Sequence, residues 1–282
     1  MKKIFCLWAL FLSTAVTFAS TTAVIPVKFN NGIPVVDLKL NEKTVPFVLD
    51  LGSNISLHLT PEVARGITGL EYTGKKIKSV DLSGAINESD EFVVPKLTVN
   101  GIPFSHLKGV IFSPWGLSLG KQKGLDSDIS VLGLNFFEGK KILLNFSAKT
   151  VLISDEIGEI SKPMTDWTPV PYEKGDEGLI FKISNGKNVY RMVLDSAATI
   201  SMVKVSVAEK GSQIDKCDFD LGPQRVCRSI NLPLPGANVV KPLLMDLPDE
   251  FHADGILGTD FFKKILVLID LQNHLIYMKP NK

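Results

Sequence analysis

Apolar and polar residues along this chain fall into short runs of four to eight, punctuated by turn residues. Asp37-Leu38-Lys39-Leu40-Asn41, Lys96-Leu97-Thr98-Val99-Asn100 and Phe181-Lys182-Ile183-Ser184 alternate with the period of two that a half-buried strand requires. Asn30-Asn31-Gly32, Asn100-Gly101 and Asn185-Gly186 mark turns between such runs, because Asn and Gly tolerate the backbone angles that tight turns impose. Helical periodicity is scarce. A short helix is predicted at Thr60-Pro61-Glu62-Val63-Ala64-Arg65, with Thr60 as cap and Pro61 in the first turn. Two more are predicted from Phe136 to Lys140 and from Phe261 to Lys264. The elements predict a mostly β protein.

A pattern that occurs twice organises these elements. Phe47-Val48-Leu49-Asp50-Leu51-Gly52-Ser53-Asn54 runs an apolar strand into an aspartate and a turn of small residues. Met192-Val193-Leu194-Asp195-Ser196-Ala197-Ala198-Thr199 does the same. Each has a later closing segment, Val131-Leu132-Gly133-Leu134-Asn135-Phe136-Phe137 and Ile256-Leu257-Gly258-Thr259-Asp260-Phe261-Phe262. The closing segments lie 125 residues apart and the aspartates 145 apart, so about twenty extra residues are expected in the first half. Phe104 to Asp128 is the expected place for them, and Ile160 to Asp176, rich in proline, is expected to join the halves. An internal repeat of this kind predicts two like units whose aspartates can meet at a two-fold axis.

An apolar strand entering Asp-x-small-small, with a later apolar-apolar-Gly, resembles the aspartic peptidases of the retropepsin and pepsin type. The resemblance covers both halves of the chain. It implies an acid-protease-like fold: two similar β-barrel lobes related by internal duplication, with a cleft between them. It also implies that Asp50 and Asp195 are a catalytic pair sharing one proton, because two carboxyls so close cannot both ionise. One activates a water while the other hydrogen-bonds the scissile carbonyl, with no metal and no cofactor. By the same resemblance Ser53 supports the outer oxygen of Asp50, and the Ser196 hydroxyl bonds across to the other lobe. Gly52 lies in the first aspartate turn, and Gly133 and Gly258 pack beside the two loops. Two positions depart from the family pattern. Leu51 replaces a Thr or Ser, removing half of the cross-lobe hydroxyl grip at a cost of about 1 kcal/mol. Ala197 replaces a Gly, adding a methyl and disfavouring a turn that uses glycine's freedom.

A flap over the cleft is expected in each half. Lys78 to Ile86 is the first candidate hairpin, and Cys217 to Cys227, turning at Gly222-Pro223, is the second. That hairpin places its two cysteines on facing strands, where a disulfide forms in an oxidising compartment; two free thiols are the alternative.

The chain of 282 residues opens Met1-Lys2-Lys3, followed by an apolar run to about Phe18 and the small residues Ala19-Ser20-Thr21. This reads as a signal peptide over residues 1–19 and an exported protein, periplasmic or secreted. Lobes are then expected at 20–159 and 160–282. Removal of the leader leaves 29 basic against 30 acidic side chains, which offers no electrostatic case for nucleic acid. No later run is long enough for a membrane span. A duplicated chain completes its dyad without a second copy, so a monomer acting on peptides or proteins is expected. The competing class is a catalytically degenerate relative that binds peptides or serves as a scaffold. Gly116-Leu117-Ser118-Leu119-Gly120 also matches a hydrolase nucleophile elbow, with His252 as partner, but lacks the strand and helix that the elbow needs. His58, His106, His252 and His274 show no metal-ligand spacing and read as surface or satisfied histidines.

Overall fold

The computed structural model describes residues 22–40, 43–80, 86–112, 129–156, 164–186, 188–209, 213–217, 227–235 and 238–281. Residues 1–19, the Gly-x-Ser-x-Gly segment around Ser118 and the predicted turn at Gly222-Pro223 lie outside them. The fold is mostly β, and it is built twice.

In the first half, strand Thr22–Asn30 serves two sheets. Thr22 to Pro26 pairs with Thr150–Ser154, and Val27 to Asn30 turns away to pair with Ile33–Leu40. Ile33–Leu40 pairs with Lys43–Asp50, which lies parallel to Ser130–Gly133. Leu57–Leu59 then crosses antiparallel to Ser130–Gly133 and parallel to Ile102–Ile111. The second half repeats the sequence of pairings. Thr168 to Pro171 pairs with Leu275–Pro280, and Tyr172 to Gly175 pairs with Gly178–Ser184. Val189–Leu194 lies parallel to Gly255–Leu257, and Met202–Lys204 takes the place of Leu57–Leu59.

The register makes the duplication quantitative. Pro26 and Pro171, 145 apart, each sit where a strand leaves the shared sheet for its own half. Proline lacks the N–H that a continuous ladder uses, so the change of sheet falls where that donor is not needed. The halves join where Lys141–Asn145 and Ile265–Asp270 run antiparallel. There Leu143 pairs with Leu268, its own counterpart at the offset of 125, so the two-fold axis passes between these two leucines.

The extra residues of the first half are not a single insertion between Phe104 and Asp128. The offset is 145 at Leu57 and Met202, 134 at Gly109 and Leu243, and 125 at Ser130 and Gly255. About half of the excess therefore belongs to the long hairpin of Glu71–Val80 and Ile86–Val99, which precedes Gly109. The joining segment is also shorter than expected, because Thr168–Gly175 is already a strand of the second half.

The predicted helix at Thr60 forms over Pro61–Arg65, with the Thr60 side chain accepting the Val63 N–H at 3.3 Å. The other two short helices begin earlier than the apolar pattern indicates, at Leu134–Phe137 and Thr259–Phe262. Each starts directly after the closing glycine, whose extended backbone ends the strand. Their Phe-Phe pairs are buried in the main core, where Phe146 links Phe29 and Phe262 with ring centroids 5.2 Å apart on each side. Among the described residues no helix is long and apolar enough to cross a membrane.

Candidate active site

The two aspartate turns begin at the ends of strands whose final residues are buried throughout, which carries Asp50 and Asp195 out of the core at the junction of the halves. Each strand is held in register by the segment that closes its own half, Leu49 against Leu132 and Leu194 against Leu257. The closing glycines leave room for the turns. A β-carbon on Gly133 would lie 2.0 Å from the Ile55 carbonyl oxygen, and one on Gly258 would lie 2.6 Å from that of Ala198. Backbone bonds then lock the contact: Leu134 N–H donates to Ser53 O at 2.7 Å, and Thr259 N–H to Ala198 O at 2.8 Å.

This framework brings the two carboxyls together. Asp50 and Asp195 hydrogen-bond each other, and the turns flank them so closely that a β-carbon on Gly52 would lie 2.8 Å from Asp195 Cγ. Backbone N–H groups support both. Gly52 donates to Asp50 Oδ1 at 2.9 Å, while Ala197 and Ala198 donate to Asp195 Oδ1 at 2.8 and 3.0 Å. Burial, and after it the charge of Asp195, pushes Asp50 well above the usual carboxylate range, against the pull of the Gly52 and Ser53 N–H groups. Burial also raises Asp195, opposed by the N–H groups of Ala198 and Ala197 and by its bond to Asp50.

The cross-lobe grip is one-sided. The fully buried Ser196 hydroxyl donates to Leu49 O at 2.7 Å and accepts the Leu51 N–H at 3.0 Å, so it reaches from the second half into the first aspartate turn. Leu51 returns no such bond. Its side chain is fully buried in the main apolar cluster instead. Ala197 does not strain its turn, since neither it nor Gly52 adopts a left-handed backbone. Its methyl packs against the Val35, Val48 and Val131 cluster of the opposite half.

One expected support is not where the resemblance placed it. The Ser53 hydroxyl pairs with His58 Nε2 at 2.7 Å and accepts the Ile55 N–H at 3.3 Å, and its bonds do not include the Asp50 carboxyl. His58 lies on Leu57–Leu59 opposite Val131, is only 5% exposed, and burial pushes its imidazole down to about 3. The apolar neighbours Leu57 and Leu59 were a sign of this burial. Asn54 is a second participant that sequence reasoning passed over. Its amide donates to the carbonyls of Gly175 and Asp176 at 2.7 and 2.8 Å, tying the first aspartate turn to the second half. The third is Asp260, which accepts both the N–H and the hydroxyl of Ser201 at 2.8 and 2.7 Å, while Ser201 Oγ accepts the Gly258 N–H. Its signal was its place in the closing segment, two residues after Gly258.

The first hairpin forms as expected, with Lys78 opposite Glu88 and Val80 opposite Ile86; residues 81–85 lie outside the described residues. The second is short, pairing Asp215 with Ser229 and Lys216 with Arg228, and the Cys217–Cys227 disulfide closes it. His252 is exposed and pairs with Glu177 at 3.4 Å. The alternating β/α scaffold that a nucleophile elbow needs is not the observed architecture.

Two β units closing on a shared pair of aspartates define the acid-protease class of fold. Residues 36–136 match the family model described as aspartyl protease, and the acid-protease-like fold extends through both halves of the chain. Similar solved structures include basic 7S globulin from soybean, with a TM-score of 0.61 and 13% identity over 94% of this chain and 96% of that one. Conglutin gamma, a basic 7S globulin from lupine seeds, is similar with a TM-score of 0.60 and 12% identity over 94% and 96%. Aspartic proteinase from Irpex lacteus is similar with a TM-score of 0.57 and 12% identity over 93% and 98%. No curated protein matches the sequence.

Proposed function

We propose that this chain is an exported aspartic peptidase that hydrolyses peptide bonds with a water activated between Asp50 and Asp195. The observation that carries the reading is the hydrogen-bonded carboxyl pair, with backbone N–H groups behind each member. Asp50 is the deeper of the two at 8% exposed, so it holds the proton. Asp195, with two N–H donors on one oxygen, carries the charge. Asp195 takes a proton from the bound water as its oxygen attacks the scissile carbonyl carbon. Asp50 hydrogen-bonds the carbonyl oxygen as that oxygen gains charge. Collapse of the tetrahedral intermediate returns the proton from Asp195 to the departing amine nitrogen. The leader, the lobes 20–159 and 160–282, and a disulfide that persists in an oxidising compartment fit an exported monomer.

A second reading, a peptide-binding relative without turnover, is favoured by the missing half of the cross-lobe grip at Leu51 and by the likeness to two proteins described as globulins. Incubation of the mature protein with a diverse peptide mixture from about pH 3 to 7, read by mass spectrometry, separates the two. Cleavage abolished by both Asp50→Asn and Asp195→Asn supports the peptidase. Folded protein that cleaves nothing across this range, yet retains peptides, supports the binder. Labelling of Ser118 by an organophosphorus probe would instead support a covalent hydrolase.

A further inference from the structure

The Ser53 and His58 pair has no counterpart in the second half. At the offset of 145, Ser53 corresponds to Ala198 and His58 to Val203, neither of which carries a hydrogen-bonding side chain. The first half thus places a polar pair where the second half places carbon. A polar pair in such a place costs stability unless fully bonded, so its arrangement beside the dyad calls for a chemical account.

The Ser53 oxygen is held by two partners. It accepts from the Ile55 N–H at 3.3 Å and contacts His58 Nε2 at 2.7 Å. The contact with neutral His58 holds in either tautomer, with Nε2 accepting from the hydroxyl or donating to its oxygen. His58 lies opposite Val131 and Val110 on its neighbouring strands, and burial keeps its imidazole neutral down to about pH 3. In both tautomers the Ser53 hydroxyl is engaged by His58, and its bonds do not include the Asp50 carboxyl.

We infer that His58 is a positioning residue that withholds the Ser53 hydroxyl from the aspartate pair, so that both carboxyls are supported by backbone N–H groups alone. The inference deepens the dyad reading above and rests on it. A hydroxyl donated to Asp50 would favour its ionised form and pull the lower apparent pKa of the pair downward. With the hydroxyl held by His58, that step stays higher, and the protein operates at less acid pH. Asp195 is the charged group that faces Asp50 across the cleft. Asp176 and Glu177 lie on the adjoining turn, with Glu177 held by His252, and Lys174 on the same strand is bonded to Asn135. All of these are common to the variants below.

The test is a titration of the mature protein carrying carbon-13-labelled aspartate carboxyls, with Asp50→Asn and Asp195→Asn used for assignment. Ser53→Ala is expected to leave the lower step of the pair in place, because its hydroxyl is not on Asp50. His58→Phe frees the hydroxyl and is expected to lower that step by about one unit. Ser53→Ala combined with His58→Phe returns it to the wild-type value, and His58→Gln, which keeps a hydrogen-bonding group beside the hydroxyl, stays near it. A rise of the step in Ser53→Ala alone would overturn the inference, as would an unchanged step in folded His58→Phe. If His58→Phe does not fold, Ser53→Ala decides by itself. The titration needs no turnover, so the expected shifts without any peptide cleavage would overturn the peptidase reading and leave the role of His58 intact.

Discussion

Ser196→Ala removes one oxygen from a fully buried site and, with it, two bonds between the halves. The hydroxyl accepts the Leu51 N–H at 3.0 Å and donates to Leu49 O at 2.7 Å. Alanine leaves the Leu51 N–H in a place without water, and an unpaired buried donor costs about 1–3 kcal/mol. The lost hydroxyl donation adds about 1 kcal/mol, so the expected destabilisation is about 2–4 kcal/mol. Leu51 supplies no hydroxyl from the other side, so nothing makes up the loss. Equilibrium urea unfolding of wild type, Ser196→Ala and Ser196→Thr measures it, and the threonine variant, which keeps the oxygen, is expected to lose less than half as much. Peptide cleavage should fall further than stability, because the same bonds set one aspartate turn against the other. A loss under about 0.5 kcal/mol for Ser196→Ala would refute the reasoning, showing that the grip is dispensable or that the turns are held by the sheet alone.

Two further outcomes follow from the geometry. His58 has an imidazole pushed from 6.5 to about 3 in the folded state, so the folded protein binds fewer protons than the unfolded chain between those values. Its contribution is therefore complete above pH 6.5 and is lost as pH falls toward 3, by an amount on the order of 4–5 kcal/mol at about 1.4 kcal/mol per unit. Urea midpoints from pH 3.5 to 7.5 should converge for wild type and His58→Phe at the acid end; parallel curves would oppose this account. The two site glycines should separate activity from stability. In Gly52→Ala the new methyl meets the movable Asp195 carboxyl at 2.8 Å, whereas in Gly133→Ala it meets the Ile55 carbonyl oxygen of the backbone at 2.0 Å. The first should lose most cleavage with little change in thermal midpoint, and the second should lose several kcal/mol of stability or fail to fold. Equal thermal midpoints for the two would contradict the placement of the turns.

Much of the architecture was legible in the chain because it rests on local chemistry repeated at a constant interval. Asp50 and Asp195, their small-residue turns and their closing Leu-Gly segments could be paired by counting, and each pairing reappears as register in the sheets. The Thr60 cap, the Asn-Gly turns and the facing of Cys217 with Cys227 follow from single-residue preferences of backbone and side chain. The division of the extra residues was not legible, since counting between two anchors gives their total and not their place. Only Gly109 opposite Leu57, and Leu243 opposite Met202, divide them.

By itself, then, the sequence indicated the β class, the repeated aspartate motifs with their closing segments and a hairpin with facing cysteines, all carried by residue identity and spacing. The tertiary structure alone decided which partner each buried polar group takes. Ser53 has donors and acceptors that could serve Asp50 or His58, and its choice depends on a strand brought alongside by pairing with Val131. Asn54 finds the carbonyls of Gly175 and Asp176 only because the halves meet there. A hydrogen bond requires two groups within about 3 Å at a suitable angle, and for residues more than a hundred positions apart only the packed fold supplies that geometry.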